Sequence, residues 1–363
     1  MDAAPATDAS VRGARNRLQL LAASSGQWRH TRDPAASAPE VKEPTSSAAS
    51  ASPMRERAAQ EVTPNRRPPG AGRAPRPPQL GGVPLAGTLY TAGARILRVV
   101  PPGVRYAAAT PGGTAWFWLS VKQRRAALDN YAAALGLERT DPRVREVARR
   151  AFQNYGRMLI DFLLLGSLSP EELLQRTSSD GREHVDAALA LGKGVIMAVP
   201  HMGSWDVAGS YGATVGYKLS AVAERFPGSL DDAVVATRQH FGLNVITLGR
   251  SAVRAITQAL QANGVVALLC DLEQGPGVSI SFFGRRATVP SGPASFALKT
   301  GAALLPACQY ATRNGRYHVH IEPALKMNGG ETKEALMQRV VNRFEDFIKE
   351  RPDQWYAFRR MFS

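Results

Sequence analysis

The stretch VPHMGSWD, residues 199–206, places a histidine and an aspartate directly after an apolar run. A histidine backed by a carboxylate removes a proton from an alcohol near neutral pH, because the carboxylate fixes the tautomer and stabilises the imidazolium that forms. On a regular helix, residues five apart lie about 140° away from one face. His201 and Asp206 would therefore meet only across a turn, which Gly203 and Ser204 permit. A histidine in this position can equally cap a helix, so the spacing alone leaves both interpretations open.

Further charged residues follow other apolar runs. Glu224 comes at the end of one run, Asp271 and Glu273 follow another, and Arg238 lies on the intervening helical segment. Ligands of open α/β sheets bind beyond the carboxyl ends of the strands. We therefore predict that these side chains converge with His201 at one rim of a sheet.

The elements that would position these residues alternate from residue 190 onward. Short apolar runs such as GVIMAVP and VVALLCD read as strands, and SLDDAVVATRQHFG and SAVRAITQALQANG read as helices. This rhythm predicts an α/β domain with a mixed, mostly parallel sheet. The pair Asn314–Gly315 predicts a type I′ hairpin and hence an antiparallel portion. A last amphipathic helix is predicted over roughly 331–350.

The N-terminal part of the chain has a different composition. Residues 1–84 are rich in Ala, Pro, Ser and Arg, a composition that predicts disorder. We expect a domain over 85–363, with a helical, membrane-facing part at 85–180 and an α/β catalytic core at 190–363. Arginines beside the cluster Trp116–Trp118 suit a membrane interface, although two core helices fit as well. No run is apolar enough for a transmembrane helix, and the start lacks the pattern of a signal peptide.

The composition favours an anionic partner. The formal net charge is +15, which suits nucleic acid, an anionic membrane or a phosphorylated cofactor. Cys270 and Cys308 lie in apolar runs and read as core residues. His318 and His320 share one side of a strand, but no third ligand stands at suitable spacing, so we expect no metal. The sequence has no P-loop and no G-x-S-x-G motif.

Four blocks carry a resemblance to a known family: PHMGSWD, AVAERFPGSLDD, GVSISFFGRRATVPSGPASFALKTGAALLP and RPDQWYAFRRMF. In this order they resemble the bacterial lipid A acyltransferases, and within them the phosphatidylinositol mannoside acyltransferase branch. The resemblance covers roughly 90–363. It implies a glycerolipid acyltransferase-like fold, peripheral on the cytoplasmic face of the inner membrane. It also implies transfer of an acyl chain from acyl-CoA or acyl carrier protein to a sugar hydroxyl of a glycolipid, with no other cofactor.

The resemblance assigns roles to individual residues. His201 matches the catalytic base and Asp206 the motif aspartate. The acidic partner of the histidine lies in CDLEQGPG, where Asp271 and Glu273 are both candidates and we favour Glu273. Phe282 and Phe283 suit an acyl groove or the core, and oxyanion donors are expected after His201 or near Ser291–Gly292. The catalytic set is then His201, Asp206 and Glu273, and the substrate-binding set is Ser204, Glu224, Arg238, Asp271, Arg285 and Arg286.

Other functions remain open at this stage. The acceptor could be a lipid A precursor rather than phosphatidylinositol mannoside. A basic nucleic-acid-binding protein is a more remote alternative, because no recognition module or basic stripe with aromatics is present, and we expect no nucleic acid partner. A catalytically silent lipid-binding relative would not need the histidine and aspartate together.

Overall fold

The computed structural model describes residues 85–275 and 277–362, so the predicted disordered tail at 1–84 lies outside it. Within these ranges the chain forms eleven α-helices and nine strands. The helices are α1 Leu85–Val99, α2 Pro102–Leu119, α3 Val121–Leu135, α4 Pro142–Leu165, α5 Pro170–Arg176, α6 Arg182–Leu189, α7 Trp205–Thr214, α8 Ser229–His240, α9 Ala252–Gln261, α10 Gly292–Thr300 and α11 Lys333–Glu350. The strands are β1 Thr177–Asp180, β2 Val195–Val199, β3 Leu219–Ala223, β4 Asn244–Thr247, β5 Val265–Leu269, β6 Gly277–Phe282, β7 Arg285–Pro290, β8 Ala303–Arg313 and β9 Arg316–Ile321.

Seven strands form the main sheet, in the order β1-β9-β8-β2-β5-β3-β4. Strands β8, β2, β5, β3 and β4 run parallel, which confirms the predicted fold class. Strand β9 is antiparallel to β8, and β1 runs parallel to β9. The carboxyl end of β1 therefore lies at the same edge of the sheet as the amino end of β2. Strands β6 and β7 form a separate antiparallel hairpin.

The predicted hairpin at Asn314–Gly315 exists between β8 and β9, but its turn is not type I′. That turn needs positive φ at both central residues, and of the two only Gly315 has it, at 67°. A register shift between Ala311 and Arg313 interrupts the pairing just before the turn. This bulge adds local twist, so the hairpin closes without the second strained residue.

The two faces of the sheet pack into two different layers. Along β2, Ile196 and Ala198 belong to a core with α3, α4, α9, α10 and α11. Their neighbours Val195, Met197 and Val199 belong to a second core with α5, α6 and α7. Successive strand residues point to opposite faces, so a strand buried on both sides reads as a continuous apolar run. Cys270 and Cys308 are free and buried, as predicted.

The first two helices leave large apolar side chains in solvent. On α1, Leu89, Ile96 and Val99 are exposed, and on α2 the same is true of Trp118 and Leu119. None of the helices in the described ranges combines the length and apolarity needed to cross a membrane. The other face of α2 packs on α4 through Tyr106, Ala109 and Phe117, so the helix is apolar on both sides.

Candidate active site

His201 and Asp271 follow adjacent parallel strands at the same level. Val199 pairs with Leu269 in the β2–β5 ladder, and each of the two polar residues lies two positions further along. The register is extended by one hydrogen bond, from the Cys270 N–H to the Val199 carbonyl. At this level the imidazole Nδ1 of His201 lies 2.6 Å from Oδ1 of Asp271.

The Asp271 carboxylate is held rigidly. Its side chain is fully buried, and Oδ1 also accepts the backbone N–H of His201 at 3.0 Å. Its other oxygen accepts the indole N–H of Trp355 at 2.8 Å. An ionised carboxylate only accepts hydrogen bonds, so Nδ1 of His201 carries the hydrogen and Nε2 keeps a free lone pair. The imidazole is 21% exposed, enough for a substrate hydroxyl to reach it.

This geometry corrects the preference for Glu273 as partner of the imidazole. Glu273 is exposed and lies at the rim of the cavity described below. Strand β5 ends at Leu269, and after Asp271 the chain has left the sheet level for a surface loop. The sequence contained evidence for the pairing with Asp271, because His201 and Asp271 lie at equal distances from the ends of two apolar runs.

Asp206 also differs from its predicted role, because its described polar contact is with Arg238. Oδ1 of Asp206 accepts the Nε–H of Arg238 at 2.7 Å, and both side chains are only 7% exposed. Asp206 lies in the first turn of α7, and Arg238 lies near the end of α8. The aspartate of the H-x4-D motif therefore connects α7 to α8 through Arg238 and does not pair with His201.

A cavity of about 910 Å³ opens beside His201. Its mouth includes Trp205, Glu224, Tyr356 and Arg359. The ring of Trp205 meets that of His201 edge to face, with centroids 5.4 Å apart. The size is that of a pocket for a small molecule or a lipid chain.

The cavity extends along both faces of the sheet. The part that we call the deep lobe runs between the sheet and α7. Its walls are formed by Met197, Val199, Gly209, Gly212, Ala221 and Ala267. The part that we call the open lobe runs along the opposite face, beside α9 and α10, with walls formed by Val222, Leu248, Val253, Ile256, Leu272 and Phe296. Because β-strand side chains alternate between faces, adjacent residues such as Ala221 and Val222 line different lobes.

Glu224 and Ser204 were both predicted to bind substrate. Glu224 is exposed at the mouth and accepts a hydrogen bond from the Gln274 amide. Ser204 is fully buried just before α7, and its hydroxyl has no partner in the described part of the chain.

Arg285 and Arg286 lie on β7 and are absent from the cavity lining. The guanidinium of Arg285 covers the ring of Phe362 at 4.7 Å, and Nε of Arg286 donates to Ser279. Phe282 and Phe283 stack on each other and contact Trp355 in the core instead of lining the cavity. The structure therefore does not bring this hairpin to the histidine.

The C-terminal segment supplies site residues that sequence reasoning missed. Trp355 is fully buried between Tyr131 and Phe282 and holds Asp271 through its indole. The N–H of Tyr356 donates to the carbonyl of His201 at 2.8 Å. The tryptophan in the block RPDQWYAFRRMF could have indicated this role, because a buried tryptophan N–H needs an acceptor.

The two backbone N–H groups after His201 are already used. Met202 donates to the carbonyl of Pro200, and Gly203 donates to that of Gln354. Ser291 and Gly292 line the cavity where α10 begins. The first N–H groups of a helix have no acceptor within the helix, so the N–H of Gly292 is a candidate donor to a group bound in the cavity.

The two histidines of β9 share one carboxylate. Oδ1 of Asp180 lies 3.2 Å from Nε2 of His318 and 2.8 Å from Nδ1 of His320. Among the described residues, no group of three or more His, Cys, Asp or Glu side chains is arranged to hold a metal ion.

Comparison with known proteins agrees with the geometry. Residues 84–363 match the family described as bacterial lipid A biosynthesis acyltransferase. A phosphatidylinositol mannoside acyltransferase of Mycobacterium tuberculosis is 33% identical over 214 residues, 57% of this chain and 67% of that protein. One of Mycolicibacterium smegmatis is 28% identical over 294 residues, 76% of this chain and 92% of that protein. A lipid A biosynthesis acyltransferase of Haemophilus influenzae is 25% identical over 221 residues, 60% of this chain and 68% of that protein. The chain belongs to the bacterial lipid A biosynthesis acyltransferase family, and is an acyltransferase.

Proposed function

We propose that this protein moves a fatty acyl chain from a thioester donor, acyl-CoA or acyl carrier protein, to a hydroxyl of a membrane glycolipid. The observation that carries the proposal is the His201–Asp271 pair at the mouth of a large, mostly apolar cavity. In this proposal His201 is the general base and Asp271 orients it.

The reaction follows from the tautomer that Asp271 imposes. Nε2 of His201 takes the proton of the acceptor hydroxyl while its oxygen attacks the thioester carbonyl carbon. The tetrahedral intermediate collapses with cleavage of the carbon–sulfur bond. The imidazolium returns its proton to the leaving thiolate, so no covalent enzyme intermediate is needed. Asp271 stabilises the transient imidazolium because it is buried and already hydrogen-bonded.

The oxyanion of the intermediate needs donors that are fixed in advance. The N–H groups of Met202 and Gly203, directly after His201, already have backbone acceptors. We assign this role to the backbone N–H of Gly292 at the start of α10, which lines the same cavity and lies at the positive end of a helix dipole.

The two lobes suit two different parts of a lipid thioester. The deep lobe is lined mainly by apolar side chains and glycines, and the two charged side chains Asp206 and Arg238 in the cavity lining neutralise each other. Such a lining suits an acyl chain. The open lobe reaches Lys299 at its end, where a cation can face the phosphate of a carrier arm. We therefore place the acyl chain in the deep lobe and the carrier arm in the open lobe.

The similarity to phosphatidylinositol mannoside acyltransferases supports a phosphatidylinositol mannoside acceptor. Two such relatives are 33% and 28% identical, against 25% for the lipid A enzyme of Haemophilus influenzae. Beside His201, the partly exposed ring of Trp205 offers a flat apolar surface on which a sugar ring can rest.

We further propose that α1 and α2 lie on the cytoplasmic face of the inner membrane, which makes the enzyme peripheral. Exposed Ile96 and Leu119 would enter the interface, while Arg95 would meet anionic lipid phosphates.

Two experiments test the proposal. In a purified assay with acyl-CoA and glycolipid, His201→Ala should abolish transfer and keep the fold. Full activity of this variant would refute His201 as base. Lipid mass spectrometry of a deletion strain should show one phosphatidylinositol mannoside species lacking one acyl chain, whereas loss from a lipid A precursor would assign the other acceptor.

A further inference from the structure

The deep lobe reaches the edge of the sheet opposite His201. Arg182 begins α6, just after the carboxyl end of β1, and Tyr217 lies two residues before the first residue of β3. Both positions lie at the amino edge of β2, and both line the cavity. The five residues of β2 alone span about 16 Å at the usual strand rise, so the lobe runs the full depth of the sheet.

One wall of this lobe is formed by small residues of α7. Ala208, Gly209 and Gly212 all line it. A Cβ added at Gly212 would come within 2.8 Å of the Leu219 side chain, and one at Gly209 within 3.2 Å of Leu243. The two glycines let α7 pack closely against Leu219 and Leu243, which also line the cavity. A larger side chain at either glycine would push these leucines into the lobe.

The far end is polar, in contrast to the walls. The guanidinium of Arg182 lies over the ring of Tyr217, with its carbon 5.8 Å from the ring centroid. Hydrogen bonding to Tyr217 raises the pKa of Arg182, so the group stays charged. The phenol of Tyr217 donates to Asp186 at 2.8 Å, which fixes its position. Nε of Arg182 is buried and has no partner in the described part of the chain.

We propose that Arg182 and Tyr217 form a polar stop, which limits the length of the acyl chain that the enzyme transfers. The proposal rests on the proposed function, in which the acyl chain occupies the deep lobe. A chain that fits the apolar walls ends before the stop. A longer one must press its methyl end against a guanidinium and a phenol and strip them of water, and burying such groups without new partners is costly.

A donor series tests the stop. The purified enzyme is given saturated acyl-CoA donors from lauroyl to behenoyl, and kcat/KM is measured for each. Tyr217→Ala and Arg182→Met should each raise kcat/KM for donors longer than the wild-type optimum, relative to that optimum, by roughly tenfold or more. Gly212→Val should move the optimum to shorter donors, because it narrows the lobe before the stop.

Lys218→Met is the matched control. Lys218 is an exposed cation next to Tyr217 and does not line the cavity, so its removal should leave the length profile as in the wild type. If Tyr217→Ala fails to fold, the length profile of Arg182→Met alone decides the test. Folded, active Arg182→Met with the wild-type profile would overturn the polar stop and leave the proposed function standing. Absence of transfer by the wild type with every donor would refute the proposed function itself.

Discussion

Oδ1 of Asp271 receives two hydrogen bonds from one residue, the backbone N–H and the imidazole of His201. The backbone contact sets the position of the carboxylate relative to the end of β2, and the ring contact sets the tautomer. Because Trp355 occupies the other oxygen, the carboxylate has little freedom to turn away. The pair is therefore organised before any substrate binds, which is what the proposed role of His201 as general base would require.

Asp271→Asn should reduce kcat by on the order of 10²–10⁴-fold, the range typical of general-base contributions. The amide can present an N–H to Nδ1, which favours the tautomer with its hydrogen on Nε2 and removes the lone pair from the substrate side. Steady-state transfer from acyl-CoA measures the effect. Glu273→Gln is the matched control, because Glu273 is exposed, and it should keep activity within a few-fold. Equal losses in the two variants would contradict Asp271 as the orienting residue.

Asp206→Ala should lower the free energy of unfolding. It leaves Arg238 buried without its ionic partner, which costs about 3–5 kcal/mol in buried pairs. Urea denaturation followed by circular dichroism measures the loss. The double variant Asp206→Ala with Arg238→Met should recover part of it, because no unpaired charge remains. A stable Asp206→Ala protein that had lost activity would show that the aspartate acts on the reaction directly.

A buried acid on α4 should make the stability depend on pH. Burial raises the pKa of Asp161 from its ordinary 3.8 to about 6, despite hydrogen bonds from Tyr106 and Tyr317. The folded state therefore holds the proton more tightly than the unfolded state. The stabilisation is fully present below pH 3.8 and is lost as the pH rises to about 6. The difference between the two pKa values corresponds to roughly 3 kcal/mol.

Asp161→Asn, which resembles the protonated acid, should flatten this part of the pH profile. Denaturant unfolding of both proteins between pH 4 and 7 provides the comparison, with each free energy taken at fixed ionic strength. If the variant keeps the wild-type slope, another group is responsible for it.

Charge placed on the proposed membrane face should weaken membrane binding. Ile96→Glu and Leu119→Glu each put a carboxylate where the interface would receive an apolar side chain, and should reduce co-sedimentation with anionic phospholipid vesicles by several-fold. Leu191→Glu is the control, because Leu191 is 71% exposed but lies before β2, at the opposite edge from His201. Similar loss in all three variants would indicate a general charge effect instead of a docking face.

The hydrophobic patterning was enough to predict the α/β core. The buried runs at β2 and β5, the turn at Gly315 and the final helix all stand where the sequence placed them. Such signals are local, because they depend on periodicity and on backbone preferences within a few residues. The resemblance likewise identified the family from ordered local blocks.

Partner choice among the site residues was decided by tertiary structure. The sequence left Asp271 and Glu273 both open to His201, and only the β2–β5 register selected Asp271. The same limit applies to Asp206, whose partner Arg238 lies on another helix, and to Trp355, which reaches Asp271 from the far end of the chain. These contacts join residues distant in sequence, and a short motif carries no information on which distant side chain the folded chain will bring to it. The local pattern therefore determined which residues could do chemistry, and packing of strands and helices determined which of them meet.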